Sequence, residues 1–411
     1  MDLQIIPRKL SGSITPPPSK SMAHRLIIAA ALGGGISTIQ NVAFSQDIEA
    51  TLRCMTAMGT GVEKPEAHTL RIHGLGHWIP QACCPDQLPH FDCGESGSTL
   101  RFLIPIALAV TGGGVFTGHG RLMERPQKPY FDLFDEKDIS YRQADGILTV
   151  QGRLTAGEYR LPGNVSSQFF TGLLYALSLL DAPSTIISTT TRESADYINM
   201  TIDAMAKAGV HVSVSEDGRT FHVTPAAYQS FAETVEADWS QAGFWYAANF
   251  LDNSLTLTGL NPRSAQGDMV VSDLYWKLAR PGDVEIDISG CPDLLPPLAV
   301  MAAVRNGTAR FVNAARLRIK ESDRLVTVHQ MLSALGCQAD EGPDFMTVFG
   351  TAGLMGGTVD GANDHRIVMA AAIAATACSA PVTIRGAEAV RKSYPDFWDE
   401  YQRLGGVFHV L

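Results

Sequence analysis

Residues 166–177 read SSQFFTGLLYAL and residues 239–250 read WSQAGFWYAANF. Each sets a Ser-Gln pair before a run of aromatic and small apolar residues, the pattern of a helix that is capped at its start and apolar on every side. Working outward, the same kind of segment recurs at about 22–32, 98–110, 168–180, 241–251, 294–304 and 365–377, with starts about 70 residues apart and the fourth interval shorter. Between them lies an amphipathic kind, at about 47–58, 128–138, 197–208, 269–279, 323–335 and 396–404. These often lead through glycine into a short strand, as in AMGTGVE at 57, AKAGVHV at 206, SALGCQA at 333 and RLGGVFHV at 403. The reading is a sixfold repeat, each unit holding two helices and several short strands. Helices apolar all round must be buried, whereas the amphipathic set can lie at a surface. The fold class is therefore α/β without a doubly wound sheet: two lobes of three units, helices inside a strand shell. Residues 224–237 (TPAAYQSFAETVEA) carry neither periodicity nor motif and divide the units three and three, so the lobe boundary is expected there.

Composition narrows the function class. A chain of 411 residues with 45% hydrophobic and 18% charged content can bury a sizeable core in two or three domains. The longest apolar stretch, 367–378, falls short of the roughly 18 residues of a membrane span, and MDLQIIPRKL lacks a basic-then-apolar signal, so a cytoplasmic protein is expected. The seven cysteines (Cys54, Cys83, Cys84, Cys93, Cys291, Cys337, Cys378) are odd in number and without CxxC pairs, which suggests buried thiols rather than disulfides or a zinc cage. A net charge of −10 argues against nucleic acid or an anionic membrane as main partner. Any anion site must be built locally.

Such sites are visible. In Pro16-Pro17-Pro18-Ser19-Lys20-Ser21-Met22-Ala23-His24-Arg25 a proline run stops and a Ser-capped helix begins, with free N–H groups that attract anions beside Lys20, Ser21 and Arg25. Asp92-Cys93-Gly94-Glu95-Ser96-Gly97-Ser98-Thr99-Leu100-Arg101 is a Gly-rich turn that lets backbone approach a ligand closely, followed by an arginine one turn into a helix. Pro105 inside that helix suggests a kink or a later start. Glu124-Arg125-Pro126 and Asn164-Val165-Ser166-Ser167-Gln168 follow. The C-terminal half mirrors this with Pro292-Asp293, with Arg318-Ile319-Lys320-Glu321-Ser322-Asp323-Arg324, with Asn363-Asp364-His365-Arg366 and with Arg391-Lys392-Ser393. Singly, each has a plain structural meaning: a cap, a solvated ion pair, a core histidine. Together, Lys20, Arg25, Arg101, Arg125, Lys320, Arg324, Arg366 and Lys392 are eight cations at turns or helix starts of an acidic protein. That arrangement suits two small substrates carrying phosphate and carboxylate, with Asp293 and Glu321 available for proton transfer.

The segments PSKSMAHR, GESGSTLRF, RLMERP, NVSSQF, ESADYI, CPD, RIKESDR, NDHR and RKSYPD, as an ordered set spanning the chain, closely resemble the 5-enolpyruvylshikimate-3-phosphate synthase family. The resemblance implies two lobes of three βαβαββ units joined by a two-strand hinge, the inside-out α/β barrel of enolpyruvyl transferases. The expected N-terminal lobe is 18–228, mainly for shikimate-3-phosphate; 1–17 with 229–411 form the C-terminal lobe, for phosphoenolpyruvate and proton transfer. It implies that Ser21, Arg25, Ser166, Ser167, Ser194 and Tyr197 hold shikimate-3-phosphate, that Lys20 and Gln168 touch both substrates, and that Asp293 and Lys320 grip the ring hydroxyls. It implies phosphoenolpyruvate contacts from Gly97, Arg125, Glu321, Arg324, Arg366 and Lys392 with His365 nearby, and counts Arg101 among the binding residues. Asp293 is the expected proton acceptor, Glu321 the donor and Lys20 a further catalytic residue, without metal or cofactor, in a monomer. Four of the eight cations fall in each lobe, so the empty enzyme is expected to be open and the anionic substrates to close it.

Two positions depart from the family pattern: Glu95 stands where many members have Asn, and Arg316 where some have Asn. Both bear on affinity for phosphoenolpyruvate and for glyphosate, the family inhibitor. A UDP-N-acetylglucosamine enolpyruvyl transferase shares the repeats, but typically has a reactive cysteine on the loop before its arginine motif, and residues 111–125 contain none. An idle anion-binding paralogue would be expected to lose its carboxylates first, yet Asp293 and Glu321 remain.

Overall fold

The structure, a computed structural model, describes residues 1–76 and 88–411, so Cys83 and Cys84 lie outside the described residues. The other five cysteines are buried free thiols. Two strands open the chain, β1 (Leu3–Ile6) and β2 (Ser11–Ile14). Then come α1 (Lys20–Ala31), β3 (Ile36–Gln40), α2 (Gln46–Ala57), β4 (Gly61–Glu66) and β5 (Thr69–His73). The second repeat is β6 (His90–Asp92), α3 (Gly97–Val110), β7 (Gly113–Thr117), α4 (Lys128–Glu136), β8 (Ser140–Ala144) and β9 (Ile147–Gln151). The third is β10 (Glu158–Leu161), α5 (Ser167–Leu177), β11 (Ser184–Ser188), α6 (Ala195–Lys207), β12 (Val212–Val214) and β13 (Thr220–Val223), after which β14 (Ala232–Thr234) leads onward. The fourth holds α7 (Trp239–Phe250), β15 (Ser254–Leu257) and α8 (Val271–Ala279). The fifth is β16 (Val284–Asp287), α9 (Leu295–Ala303), β17 (Thr308–Val312), α10 (Arg324–Ala334), β18 (Ala339–Glu341) and β19 (Met346–Phe349). The sixth is β20 (Gly357–Asp360), α11 (His365–Ala375), β21 (Val382–Arg385), α12 (Phe397–Arg403) and β22 (Val407–Val410).

One sheet pattern is used in five of the six repeats. In the second repeat the order is β6-β7-β9-β8: the first strand runs parallel to the second, which pairs antiparallel with the last strand of a hairpin. The third and fifth repeats build the same sheet from their own strands. The others borrow. β14 supplies the first strand beside β3, with Ala232 opposite Thr38, and β2 supplies it beside β15, with Ser11 opposite Ser254. β1 fills the centre of the sixth sheet, between β21 and β22. The fourth repeat has only the pair β15-β2 among the described residues. It lacks the closing hairpin expected of six equal βαβαββ units, which is why the fourth interval in the sequence is short.

The chain divides into a continuous unit, 20–235, and a discontinuous unit, 1–19 with 236–411. The crossings fall at 19/20 and 235/236, the second within the 224–237 stretch expected from sequence and a few residues beyond the 17/18 and 228/229 given with the family resemblance. The reason is pairing: Thr234 is in register with Gln40, which keeps β14 with the continuous unit. Ser19 N–H donates to Glu236 C=O at 2.8 Å, which ties the other crossing strand to the discontinuous unit.

Each unit is cored by its all-round apolar helices. Every residue of α11, and Met22 to Ala31 of α1, is buried, while α4 buries Pro129, Tyr130, Leu133 and Phe134 on one stripe. Alanine and glycine on the inner helices permit close approach: a Cβ on Gly172 of α5 would come within 2.5 Å of Tyr130 Oη and 2.6 Å of Arg101 C=O. α3 does not start later at Pro105 but runs as one helix from Gly97 to Val110. Proline removes the N–H that Arg101 C=O would accept four residues earlier. Tyr130 Oη replaces it, donating to Arg101 C=O at 2.7 Å.

Candidate active site

In the continuous unit the proline run ends against α1, whose first residue, Lys20, pairs through Nζ with Asp47 Oδ2 at 2.7 Å. Arg25, one turn on, is 2% exposed. Its Nη1 donates to Ser21 C=O at 2.7 Å, Nη2 to Tyr197 C=O at 2.8 Å and Nε to Thr201 Oγ1 at 2.9 Å. The guanidinium faces the Phe102 and Tyr197 rings at 5.2 and 5.9 Å. Burial lowers its pKa to about 10, with the Tyr175 and Tyr197 hydroxyls pulling the other way, so it stays cationic at neutral pH. A second group forms where α3 meets α5. Ser166 caps α5 by accepting from Gln168 N–H at 3.3 Å, and Ser167 begins the helix. Gln168 Oε1 accepts from Arg101 Nη1 at 2.8 Å while its Nε2 donates to Ser98 Oγ at 3.0 Å. Arg101 Nη2 also donates to Pro126 C=O at 3.1 Å. Arg125 Nη1 lies so near Gly97 that a Cβ there would be 2.8 Å away, so the glycine lets the guanidinium sit where it does. Ser194 enters α6 in the left-handed region, φ 53° and ψ 45°, a conformation that costs a serine about 1–2 kcal/mol.

In the discontinuous unit one carboxylate gathers three cations. Asp293 sits in the short turn Pro292–Leu294 that opens α9. Its Oδ1 accepts from Lys320 Nζ at 3.1 Å and Arg324 Nη1 at 2.8 Å, and its Oδ2 from Arg366 Nη2 at 3.2 Å. Arg366 Nη1 also donates to Asp293 C=O at 3.1 Å. Arg324, 1% exposed, is the hub. Beyond Asp293 it donates from Nη2 to Glu321 Oε2 at 2.7 Å and from Nε to Asp364 Oδ2 at 2.8 Å. Asp364 is itself the cap of α11, accepting from Arg366 N–H at 3.0 Å, and takes the Ser322 hydroxyl at 2.9 Å. His365 is buried with Nδ1 3.9 Å from Asp364 Oδ1, and Lys392 Nζ donates to Asn363 C=O at 2.6 Å. Burial would raise the pKa of Asp293, but Arg366, Lys320 and Arg324 overcome it and hold the carboxyl well below its usual range. Burial likewise lowers the Lys320 pKa, against the pull of Asp293.

The arrangement can hold small anions in a field of fixed cations and offers carboxylates for proton transfer. Over residues 5–401 the chain matches the family model EPSP synthase (3-phosphoshikimate 1-carboxyvinyltransferase). It is 41% identical to the 3-phosphoshikimate 1-carboxyvinyltransferase of Clostridium kluyveri, covering 98% of this chain and 97% of that one. It is 42% identical to that of Clostridium acetobutylicum, covering 99% and 98%. The chain belongs to the EPSP synthase family. Its fold matches the solved EPSP synthase from Acinetobacter baumannii at TM-score 0.78 and 22% identity, covering 99% of both chains. It also matches the enolpyruvyl transferase NikO from Streptomyces tendae at TM-score 0.77 and 16% identity, covering 99% and 98%.

Two details of this geometry bear on the residues read from sequence. Lys320 and Arg324 are four residues apart, but α10 begins only at Arg324, capped by Asp323, so it is Asp293 that brings the two cations together. Arg101 is held by Gln168, Pro126 and the Phe169 ring, 5.0 Å away, so it supports Gln168. Sequence reasoning missed Asp47 and Asp364, the carboxylates that orient Lys20 and Arg324. Their signal was there: both stand at helix starts, where an acid is ordinarily read as a cap. At the family departures, the Glu95 carboxylate lies against Gly120, where a Cβ would come within 2.6 Å of Oε2. Arg316 Nη2 donates to Ser289 C=O at 2.5 Å.

Proposed function

We propose that this chain transfers the enolpyruvyl group of phosphoenolpyruvate to the 5-hydroxyl of shikimate-3-phosphate, releasing phosphate, in the shikimate pathway. The observation that carries this is the Asp293 carboxylate held by Lys320, Arg324 and Arg366, with Glu321 on the same Arg324. Ser21, Arg25, Ser166, Ser167, Ser194 and Tyr197 are assigned to shikimate-3-phosphate, with Lys20 and Gln168 touching both substrates. Gly97, Arg125, Glu321, Arg324, His365, Arg366 and Lys392 are assigned to phosphoenolpyruvate. The 5-hydroxyl oxygen bonds to the second carbon of phosphoenolpyruvate while its methylene takes a proton from Glu321, and Asp293 takes the hydroxyl proton. The tetrahedral adduct then expels phosphate and returns a methyl proton, which restores the double bond. With its pKa held down, Asp293 is a weak base in the empty site. When the phosphoenolpyruvate carboxylate takes up Arg324 and Arg366, the cations that depress Asp293 are shared with a second anion, and its basicity rises. Fixed cations neutralise both substrates, so no metal or cofactor is needed. We also read the enzyme as a cytoplasmic monomer, in keeping with an acidic chain that disfavours an anionic membrane as partner.

The test is phosphate release from phosphoenolpyruvate with either shikimate-3-phosphate or UDP-N-acetylglucosamine as co-substrate. Release with shikimate-3-phosphate alone is expected; release with the nucleotide sugar would overturn the assignment.

A further inference from the structure

The continuous unit holds a second polar chain that none of these assignments uses. His24, the neighbour of Arg25 on α1, is fully buried, as are Thr51 on α2, Thr99 on α3 and Ser96 at its cap. His24 Nδ1 lies 2.7 Å from Thr51 Oγ1, and Thr51 Oγ1 lies 2.7 Å from Thr99 Oγ1. Thr99 Oγ1 in turn donates to Ser96 Oγ at 2.7 Å. A hydroxyl has one proton to give, so the direction can be read back from the end. The Thr99 proton is used on Ser96, hence Thr51 donates to Thr99. The Thr51 proton is then spent, and its contact with His24 requires N–H on Nδ1. The chain runs one way, and His24 is the Nδ1–H tautomer with a lone pair on Nε2, for which there is no hydrogen-bond partner among the described residues. Burial, with Lys20 and Arg25 adding to it, lowers the His24 pKa well below its usual value and keeps the ring neutral.

What the chain controls is its far end. Ser96 Oγ accepts the Thr99 hydroxyl and also the Thr99 N–H at 3.2 Å, so the cap of α3 is held from two directions. The next two residues are Gly97, against Arg125 Nη1, and Ser98, which accepts from Gln168 Nε2. Filling a helix junction does not require a histidine with an orphaned ring nitrogen, since an apolar side chain would serve; an oriented N–H does require one. We infer that His24 is a positioning residue for enolpyruvyl transfer: its Nδ1–H orients Thr51, Thr99 and Ser96 in turn, and so sets Gly97 and Ser98 against Arg125 and Gln168. The inference rests on the proposed reaction for its kinetic consequence, but the tautomer does not.

The test has two arms. Side-chain ¹⁵N spectra, with the His24 signal assigned by its loss in His24→Asn, should show the Nδ1–H tautomer, unchanged from about pH 7 to about pH 5. An Nε2–H tautomer, or a ring that titrates in that range, overturns the chain whatever the enzyme's activity. In kinetics, Thr51→Val and His24→Phe should each raise KM for phosphoenolpyruvate about tenfold, the scale of one lost buried hydrogen bond, while kcat and KM for shikimate-3-phosphate move less than about threefold. The double variant should be no worse than either single one, and Thr51→Ser and His24→Asn, which keep a donor, should restore the KM. Equal rises in both KM values, additive effects, or an unmoved KM in Thr51→Val would overturn the positioning role. If His24→Phe fails to fold, the isosteric Thr51→Val decides alone. Wild-type phosphate release tests the reaction itself, so the two failures cannot be confused.

Discussion

Arg324 carries three carboxylates on one buried guanidinium, and the consequences are sharpest at single residues. With Asp293 as acceptor and Glu321 as donor, Asp293→Asn and Glu321→Gln should each lower turnover by at least about 10²-fold while shikimate-3-phosphate binding stays within about tenfold. Steady-state phosphate release with equilibrium binding separates the two, and near-normal turnover in either variant removes its role. The depressed carboxyls also set an acid limit on stability. For Asp293 and Asp364 burial opposes ionisation, but neighbouring cations win and lower both pKa values. A carboxyl lowered on folding contributes stability that is full above its unfolded value, about 3.9, and is lost as pH falls through its folded value. Chemical denaturation should therefore show a steep loss only below about pH 4. Asp364→Asn should be less stable at pH 7, by about 3 kcal/mol, because Arg324 loses a buried counter-charge, and its acid loss should be shallower. An equal pH slope in that variant would show that Asp364 does not carry the effect.

At the scale of elements, the α3–α5 contact joins packing to the site. Tyr130 Oη takes the Arg101 C=O that Pro105 leaves unpaired. Removing that hydroxyl in Tyr130→Phe strands a buried carbonyl, at about 1–3 kcal/mol. Thermal unfolding should fall accordingly, and KM for phosphoenolpyruvate should rise, because Arg101 also holds Gln168. Unchanged unfolding would mean that Arg101 C=O finds another donor. Gly97→Ala is the complementary case, placing a methyl carbon 2.8 Å from Arg125 Nη1. That distance forces the guanidinium aside, so KM for phosphoenolpyruvate should rise at least about tenfold with stability nearly unchanged.

For the whole molecule the borrowed strands decide what can be cut. β1 lies between β21 and β22, and β2 is the sole partner of β15 among the described residues. A chain lacking residues 1–14 therefore leaves unpaired backbone at two places in the discontinuous unit, whereas the continuous unit loses none of its strands. Limited proteolysis with mass spectrometry should show 20–235 surviving while 236–411 is digested, and phosphate release should be abolished. Uniform resistance would show that β1 and β2 are dispensable.

These three scales differ in how far sequence alone reached. The twelve helices among the described residues were legible because each carries its own period: runs such as IVMAAAIAA at 367–375 can only be buried, and stripes such as that of α4 can only half-face water. The candidate cations were legible because Lys20, Arg101, Arg324 and Arg366 stand close to caps and glycines that are themselves local signals. The borrowed strands were not, since a four-residue segment such as SGSI at 11–14 has no pattern naming a partner more than 240 positions away. Nor were the truncated fourth repeat, the unbroken helix through Pro105, the convergence of Lys320 and Arg324 on Asp293, or the direction of the hydroxyl chain from His24. Sequence determines which segments must be buried and which residues can bind anions, because burial and capping are settled within one or two turns. Which strand closes which sheet, and which carboxylate meets which cation, is settled only when distant segments compete for the same hydrogen bonds in the folded chain.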